Sequence, residues 1–403
     1  MSNHIPQSFR QFLYAHAAAA LSMGIQIVVL AWLAVGVLSL PAAQVGWVQA
    51  ANLLPGLGII LLAGALADRW HPSSLLVVAS SVVALAHGIT GLALLNNSLS
   101  FGGLMLYAAV LGIGNAFVQP AREKLLVAVG EGLLQHTISR ASIFQFSAQG
   151  LGVLLASTSE VIGVSSLMFF QAGLSVAGVL LYRTLRHQTM AAVAAADQSV
   201  HGSIQSGMVT AWSDKVLRQL IMLVSFNGLM HMGVFVMLLP WLARNVYGLS
   251  AFGYGAMQLV FLTGIISAHL VLLKRKKIEF PGQGVLFCLI YAGAIMLAIA
   301  TGPKLAGLYI LVGCWGGVAG SSAGLSRIVL QTVCTDAERG RVMSLYQLAL
   351  FGMAPLGALA AGYGVSHWGH IAVLHFTGGA SLALFVLFIF SKALWAVRQE
   401  GEL

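Results

Sequence analysis

Charge is scarce in this chain. Only 8% of its residues are Asp, Glu, Lys or Arg, where an ordinary soluble domain carries roughly 25%. A water-facing surface cannot be built from so few charges, which excludes a soluble enzyme and a nucleic-acid-binding domain. Carboxylates are scarcest, 11 in 403 residues. There are 3 cysteines, Cys288, Cys314 and Cys334, none in a C-x-x-C pair; each reads as a small apolar residue, not a redox or metal ligand. H-E-x-x-H is absent, and no intramembrane enzyme is expected. No G-K-[ST] follows Gly313, Gly316, Gly317 and Gly320, so these glycines suit helix packing and not a phosphate loop. What is abundant is apolar: 59% of the residues are hydrophobic, too many for a disordered chain. A polytopic membrane protein remains, with neither a cofactor nor a metal expected.

A bilayer core of ~30 Å needs ~20 mainly apolar residues per helix. That ruler predicts twelve spans, at 10–38, 45–67, 74–95, 101–121, 138–160, 164–183, 216–243, 250–273, 283–302, 305–328, 340–365 and 370–396. The first is too long for a cleaved signal peptide and no small-residue cleavage site follows it. With the N-terminus in the cytoplasm, all of the 20 Lys and Arg except Arg244 and Lys304 fall on the cytoplasmic side. This asymmetry accounts for the net charge of +9, and an even number of spans places both termini inside. The stretch 184–215 is long and polar, with Asp197, Ser199, Ser203 and Ser206, and reads as a cytoplasmic linker that could include an interfacial helix. The expected organisation is a six-helix bundle over 1–183, the linker, and a second bundle over 216–403.

The halves are related. At an offset of 209, Met23–Gly24 match Met232–Gly233, Trp32–Leu33–Ala34 match Trp241–Leu242–Ala243, Gly46 matches Gly255 and Gln49 matches Gln258. At an offset of 205, Gly112 matches Gly317, Arg122 matches Arg327, and Leu151–Gly152 match Leu356–Gly357. Two parallel six-helix repeats imply a pseudo-two-fold axis along the membrane normal and a substrate site between the halves near mid-bilayer.

After the second span the chain reads Gly64-Ala65-Leu66-Ala67-Asp68-Arg69-Trp70-His71-Pro72-Ser73-Ser74-Leu75. This resembles the G-x-L-A-D-R-x-G-R-R loop of the major facilitator superfamily, with His71, Pro72 and Ser73 where the family has Gly and two basic residues. The resemblance implies twelve helices in two pseudo-symmetric bundles, and a conformational latch built on Gly64, Asp68 and Arg69, with Arg122 and Arg327 at the matching helix ends. Asn115-Ala116-Phe117-Val118-Gln119-Pro120-Ala121-Arg122 is similar to the N-A-F-x-x-P-A-R stretch of the branch that includes enterobactin-type siderophore exporters and related drug exporters. Lysophospholipid flippases of the superfamily carry a similar ending. Proton-coupled drug antiporters usually have an arginine before the G-x-G of helix four and a Gly-Pro pair in helix five. This chain has Tyr107–Leu111 before Gly112-Ile113-Gly114, and Gln149–Gly152 without proline; the nearest echo is Ala354-Pro355-Leu356-Gly357.

The acids fall at helix ends or in loops, and Glu160 alone is placed near an outer vestibule. A mid-membrane carboxylate switch is therefore not expected, and histidine is the group that can replace it near neutral pH. Of His16, His87, His231, His269 and His375, the best placed is His231, in helix seven and four residues after Asn227, so that both can share one face. Otherwise it is a packing histidine bonded to a neighbouring helix. Uncharged candidates for a polar cavity are Gln26, Asn115, Gln119, Gln145, Gln149, Gln258, Tyr346 and Gln347; their alternative role is interhelical bonding. Trp32 and Trp241 are either interfacial belt or an aromatic lid. The H-x2-H pair His367 and His370 lacks a carboxylate or thiol beside it and is read as surface histidine.

The expectation is a secondary transporter working by alternating access: an exporter of a small amphipathic or chelating molecule such as a siderophore, coupled to protons. The alternatives are a multidrug efflux pump, or a lysophospholipid flippase or facilitator without proton coupling. Its partners are the small-molecule substrate, the lipid bilayer and protons; no nucleic acid is expected, and the chain is expected to be a monomer in a bacterial inner membrane.

Overall fold

The computed structural model describes residues 7–69, 71–129, 134–188, 208–275 and 278–398. Among these residues there is no strand. In order the helices are α1 (Gln7–Val37), α2 (Ala42–Arg69), α3 (Pro72–Leu95), α4 (Phe101–Val129), α5 (Leu134–Ser157), α6 (Val164–Gln188), α7 (Lys215–Val246), α8 (Ala251–Lys274), α9 (Pro281–Ala300) and α10 (Leu305–Val333). A last continuous run, Asp336–Ser391, is broken at Gly369, whose φ of 80° takes it out of helical conformation. The run is therefore two helices, α11 over 336–368 and α12 over 370–391. Only a residue without Cβ adopts that φ without strain. Among the described residues, nine helical stretches are long and apolar enough to cross a bilayer, the last of them holding both α11 and α12. In hydrocarbon every backbone group must be satisfied within the helix, so apolar runs of this length fold as helices.

The ends are set by local chemistry. Asp214 Oδ1 accepts from the N–H groups of Val216 and Leu217 at 2.7 and 2.8 Å and starts α7. Proline stands in the first turn of α3 and α9, where its missing N–H costs nothing. Thr335 and Glu338 form a capping box at the start of α11. Two helices outrun the sequence reading: α4 reaches Val129, where 121 is expected, and α10 reaches Val333, where 328 is expected. The apolar ruler measures the bilayer, and a helix need not stop at its surface. Residues 208–213, at the end of the expected linker, are helical and expose Met208, Val209 and Trp212.

The chain divides into two compact units, Met1–Leu40 with Trp47–Val200 and Gly248–Gly255, and Pro41–Gly46 with His201–Tyr247 and Ala256–Leu403. The first has a core of Phe9, Phe12, Leu76, Leu125, Tyr182 and Leu185. The second packs Leu217, Leu220, Leu289, Val329 and Tyr346 with Leu394 of the C-terminal segment. Each unit has a helix crossing made by a pair of glycines that recurs in the repeat. A Cβ added at Gly152 in α5 would lie 2.9 Å from the Cα of Gly24 in α1. A Cβ at Gly357 in α11 would lie 3.1 Å from the Cα of Gly233 in α7. These glycine matches of the internal repeat thus mark, in each unit, a crossing at which backbones touch.

Candidate functional site

In the second unit, α7 is not one continuous α-helix. It runs as α-helix over Lys215–Phe226, as π-helix over Asn227–Met232, as α-helix over Gly233–Trp241 and again as π-helix over Leu242–Val246. The outer π-turn has a counterpart in α1, at Leu33–Val37, offset by 209. The inner one has none, because residues 18–23 of α1 are α-helical. The repeat therefore breaks at the turn that carries Asn227 and His231. π-turns occur mostly as single insertions, often at functional sites.

The two side chains of that turn reach different helices. Asn227 donates through Nδ2 to Ser322 Oγ of α10 at 3.3 Å. His231 Nε2 lies 3.0 Å from Ser381 Oγ of α12. The Ser381 hydroxyl donates its only proton to the Thr377 carbonyl at 2.8 Å, so it can only accept from the imidazole. In that arrangement the protonated nitrogen of neutral His231 is Nε2. Nδ1 carries the lone pair, is buried, and has no hydrogen-bond partner among the described residues. Phe226 meets the ring edge-on at 6.0 Å. In the first unit the equivalent tie joins Ser22 of α1 to Gln171 of α6 at 3.5 Å. Where one unit has a hydroxyl the other has a titratable ring.

One helical turn beyond His231 lies a cluster that the sequence reading missed. Phe235 of α7 stacks on Phe261 of α8 with ring centroids 4.1 Å apart, and Trp315 of α10 meets both edge-on. The position equivalent to Phe235 in the first unit is Gln26, which is buried in α1. The three rings lie on three helices, and no one-dimensional pattern joins them.

The first unit gathers its polar residues elsewhere. His16 of α1 hydrogen-bonds Gln145 of α5, with the guanidinium of Arg122 close enough to act on it. Arg122 is only 8% exposed, and its charge also reaches the buried Tyr182 of α6. His87 of α3 pairs through Nδ1 with the Tyr107 hydroxyl of α4 at 2.9 Å. In the second unit Arg327 is exposed near the buried Tyr346. Gln258 is buried, Gln149 and Gln347 are half-buried, and Asn115 is exposed. Gly64 lies in α2, and the side chains of Asp68, Arg69 and Gln119 lie outside the described residues.

The remaining expectations resolve individually. Glu160 Oε1 accepts from the N–H of Ala251 at 3.0 Å and so caps the start of α8. Trp32 is 3% exposed with Gly36 against its ring, so it is a core residue rather than belt, while half-buried Trp241 lies against His370. His269, His367 and His375 are exposed and each donates from Nδ1 to the carbonyl four residues earlier at 2.9 Å. None of the nine described spans contains an Asp or Glu.

Residues 12–354 match the family model described as Major Facilitator Superfamily. No curated protein matches the chain. Among solved structures, the nucleoside transporter NupG superposes with a TM-score of 0.76 at 15% identity, covering 97% of this chain and 100% of its own. A bacterial homologue of the human lysosomal transporter Spinster, in an inward-facing and unoccupied conformation, gives 0.70 at 14% identity, covering 98% and 100%. A D-xylose–proton symporter gives 0.63 at 13% identity, covering 94% and 95%. At these identities the likeness is one of fold.

Proposed function

The chain belongs to the major facilitator superfamily, and from that premise we propose that this membrane transporter exports a small amphipathic or chelating molecule, a siderophore first, by proton-coupled alternating access. The halves 1–183 and 216–403 would alternate about the 184–215 linker, latched on the cytoplasmic side by Gly64, Asp68, Arg69, Arg122 and Arg327. Export is supported by the Asn115–Arg122 stretch. An amphipathic ligand suits the chemistry of the second unit, where rings to stack on stand about two helical turns from uncharged hydrogen-bonding groups. Gln26, Gln145, Gln258, Tyr346 and Gln347, with Asn115 and Gln119, are assigned to polar contacts with the ligand.

The observation that carries the coupling is the lack of Asp and Glu in the nine described spans beside a buried histidine with an open lone pair. With no carboxylate to titrate in those spans, His231, on the π-turn beside the aromatic cluster, is assigned the proton, at Nδ1, while Nε2–H holds the ring on Ser381. The test is mass spectrometry of medium and cytosol from native cells with and without the chain, under iron limitation. A chelator retained inside the cells lacking it is the expected result. No difference overturns the siderophore assignment and leads to a dye and antibiotic panel for drug efflux. A compound left unconsumed in the medium reverses the direction.

A further inference from the structure

A cavity of about 830 Å³ lies on the flank of the second unit, walled by α8, α9 and α10. Its floor is Ala268, Cys288 and Leu325, all buried. Its rim includes Val271, Tyr291 and Ile310, which are 57%, 60% and 66% exposed. Apolar side chains this open on a membrane-spanning unit face lipid, so the groove opens to the bilayer and is separate from the polar turn of α7. Glycines keep its walls low, at Gly264, Gly284, Gly313 and Gly317.

The α8 wall runs from Val260 to Val271, about 16 Å at the α-helical rise. That is about half of a ~30 Å hydrocarbon core, the depth of one leaflet. The wall residues Val260, Gly264, Ser267 and Val271 recur at helical spacing. The next positions on that stripe are Lys274 and Arg275, both exposed. On the α9 side the stripe Gly284, Cys288, Tyr291 continues back to Phe280, over whose ring Arg398 sits at 5.7 Å. One end of a leaflet-deep apolar groove is thus flanked by three cations. Among the described residues the acid beside them is the exposed Glu279, so there the positive charge is in excess.

We propose that this groove binds one anionic phospholipid, with an acyl chain along α8–α10 and its phosphodiester on Lys274, Arg275 and Arg398. A zwitterionic lipid would fill the groove equally well but would gain little from the rim. A basic site between helices at the cytoplasmic end of a membrane protein recognises anionic headgroups for this reason.

The probe is phosphatidylglycerol against phosphatidylcholine of the same acyl chains, added to the purified full-length protein in detergent and read by native mass spectrometry. We expect retained phosphatidylglycerol adducts in the wild type. In the triple variant Lys274→Gln, Arg275→Gln, Arg398→Gln the preference should fall by about tenfold or more. In Cys314→Phe, which puts a ring into the groove at an exposed position, adducts of both lipids should be lost while the protein stays monodisperse. A measurement needing no variant is maleimide labelling of Cys314, which phosphatidylglycerol should slow. Equal retention of the two lipids, a preference that survives the triple variant, or adducts unaffected by Cys314→Phe would each overturn the proposal. So would a lipid-free dimer, which would put a second copy of the chain on this face.

Discussion

Gly357→Ala isolates the cost of the α7–α11 crossing. The added methyl would lie 2.8 Å from the carbonyl carbon of Leu229 and 3.1 Å from the Cα of Gly233. Both are backbone atoms, so no side chain can swing away. Carbon atoms rest at ~3.5–4.0 Å and the Leu229 carbonyl oxygen lies closer still, so the helices must part by roughly 1 Å or more. Overpacking of this kind costs about 1–3 kcal/mol. The substitution also gains about 1 kcal/mol of helix propensity, which would blur a single measurement. Gly379→Ala in α12 removes that ambiguity, because a Cβ there meets nothing within 4 Å. The difference between the two variants is the crossing cost alone. The assay can use the protein's own thiols: Cys288 and Cys334 are buried in the same unit, while Cys314 is exposed and contributes to the starting signal of every variant alike. A thiol-reactive dye followed on heating should show Gly357→Ala melting below wild type and Gly379→Ala at or above it. If Gly357→Ala melts with or above Gly379→Ala, the crossing is not tight and the packing argument fails.

The other predictions concern transport and pH. His231→Ala should change the pH dependence of transport or the substrate affinity, and Ser381→Ala, which frees Nε2, should move the same profile with a stability loss of only about 0.6 kcal/mol; unmoved profiles in both would leave His231 a packing residue. Asp68→Asn should lower turnover while expression and monodispersity hold, and full turnover would remove the latch assignment. Hydrogen bonds from the Thr335 hydroxyl and backbone hold the Glu338 carboxyl below its usual value. A depressed carboxylate stabilises the fold above the ordinary range near pH ~4.3 and loses that contribution as pH falls through its own lower value. Melting temperature in the acid range should therefore fall less steeply in Glu338→Gln, and parallel slopes would show that the cap is not coupled to folding.

The spans were readable because bilayer thickness imposes a length and the repeat fixes the pairing of helices. The glycine crossings were readable for the same reason, since Gly24 and Gly152 recur as Gly233 and Gly357. The candidate site was half readable. His231 stood out as a titratable group in an apolar run, but Ser381 lies 150 positions away and carries no pattern that points back. The shared face expected of Asn227 and His231 became two contacts with α10 and α12, because a π-turn changes side-chain directions without a signature residue. The aromatic trio was out of reach for a similar reason, being a product of packing.

The inner π-turn of α7 also records how the two halves diverged. Before it, Phe9-Arg10-Gln11-Phe12-Leu13 aligns with Leu217-Arg218-Gln219-Leu220-Ile221 at an offset of 208. After it, Met23–Gly24 aligns with Met232–Gly233 at an offset of 209. One extra residue has entered between them, in the stretch that holds the wide turn. The inner and outer segments of α7 kept their ancestral partners, Leu217 and Leu220 in one core and Gly233 at the crossing. The helix absorbed the surplus by loosening one turn instead of rotating everything beyond it by ~100°. A duplicated bundle could thus acquire a new chemical task in one copy through a single codon, with both ends of the helix left in register.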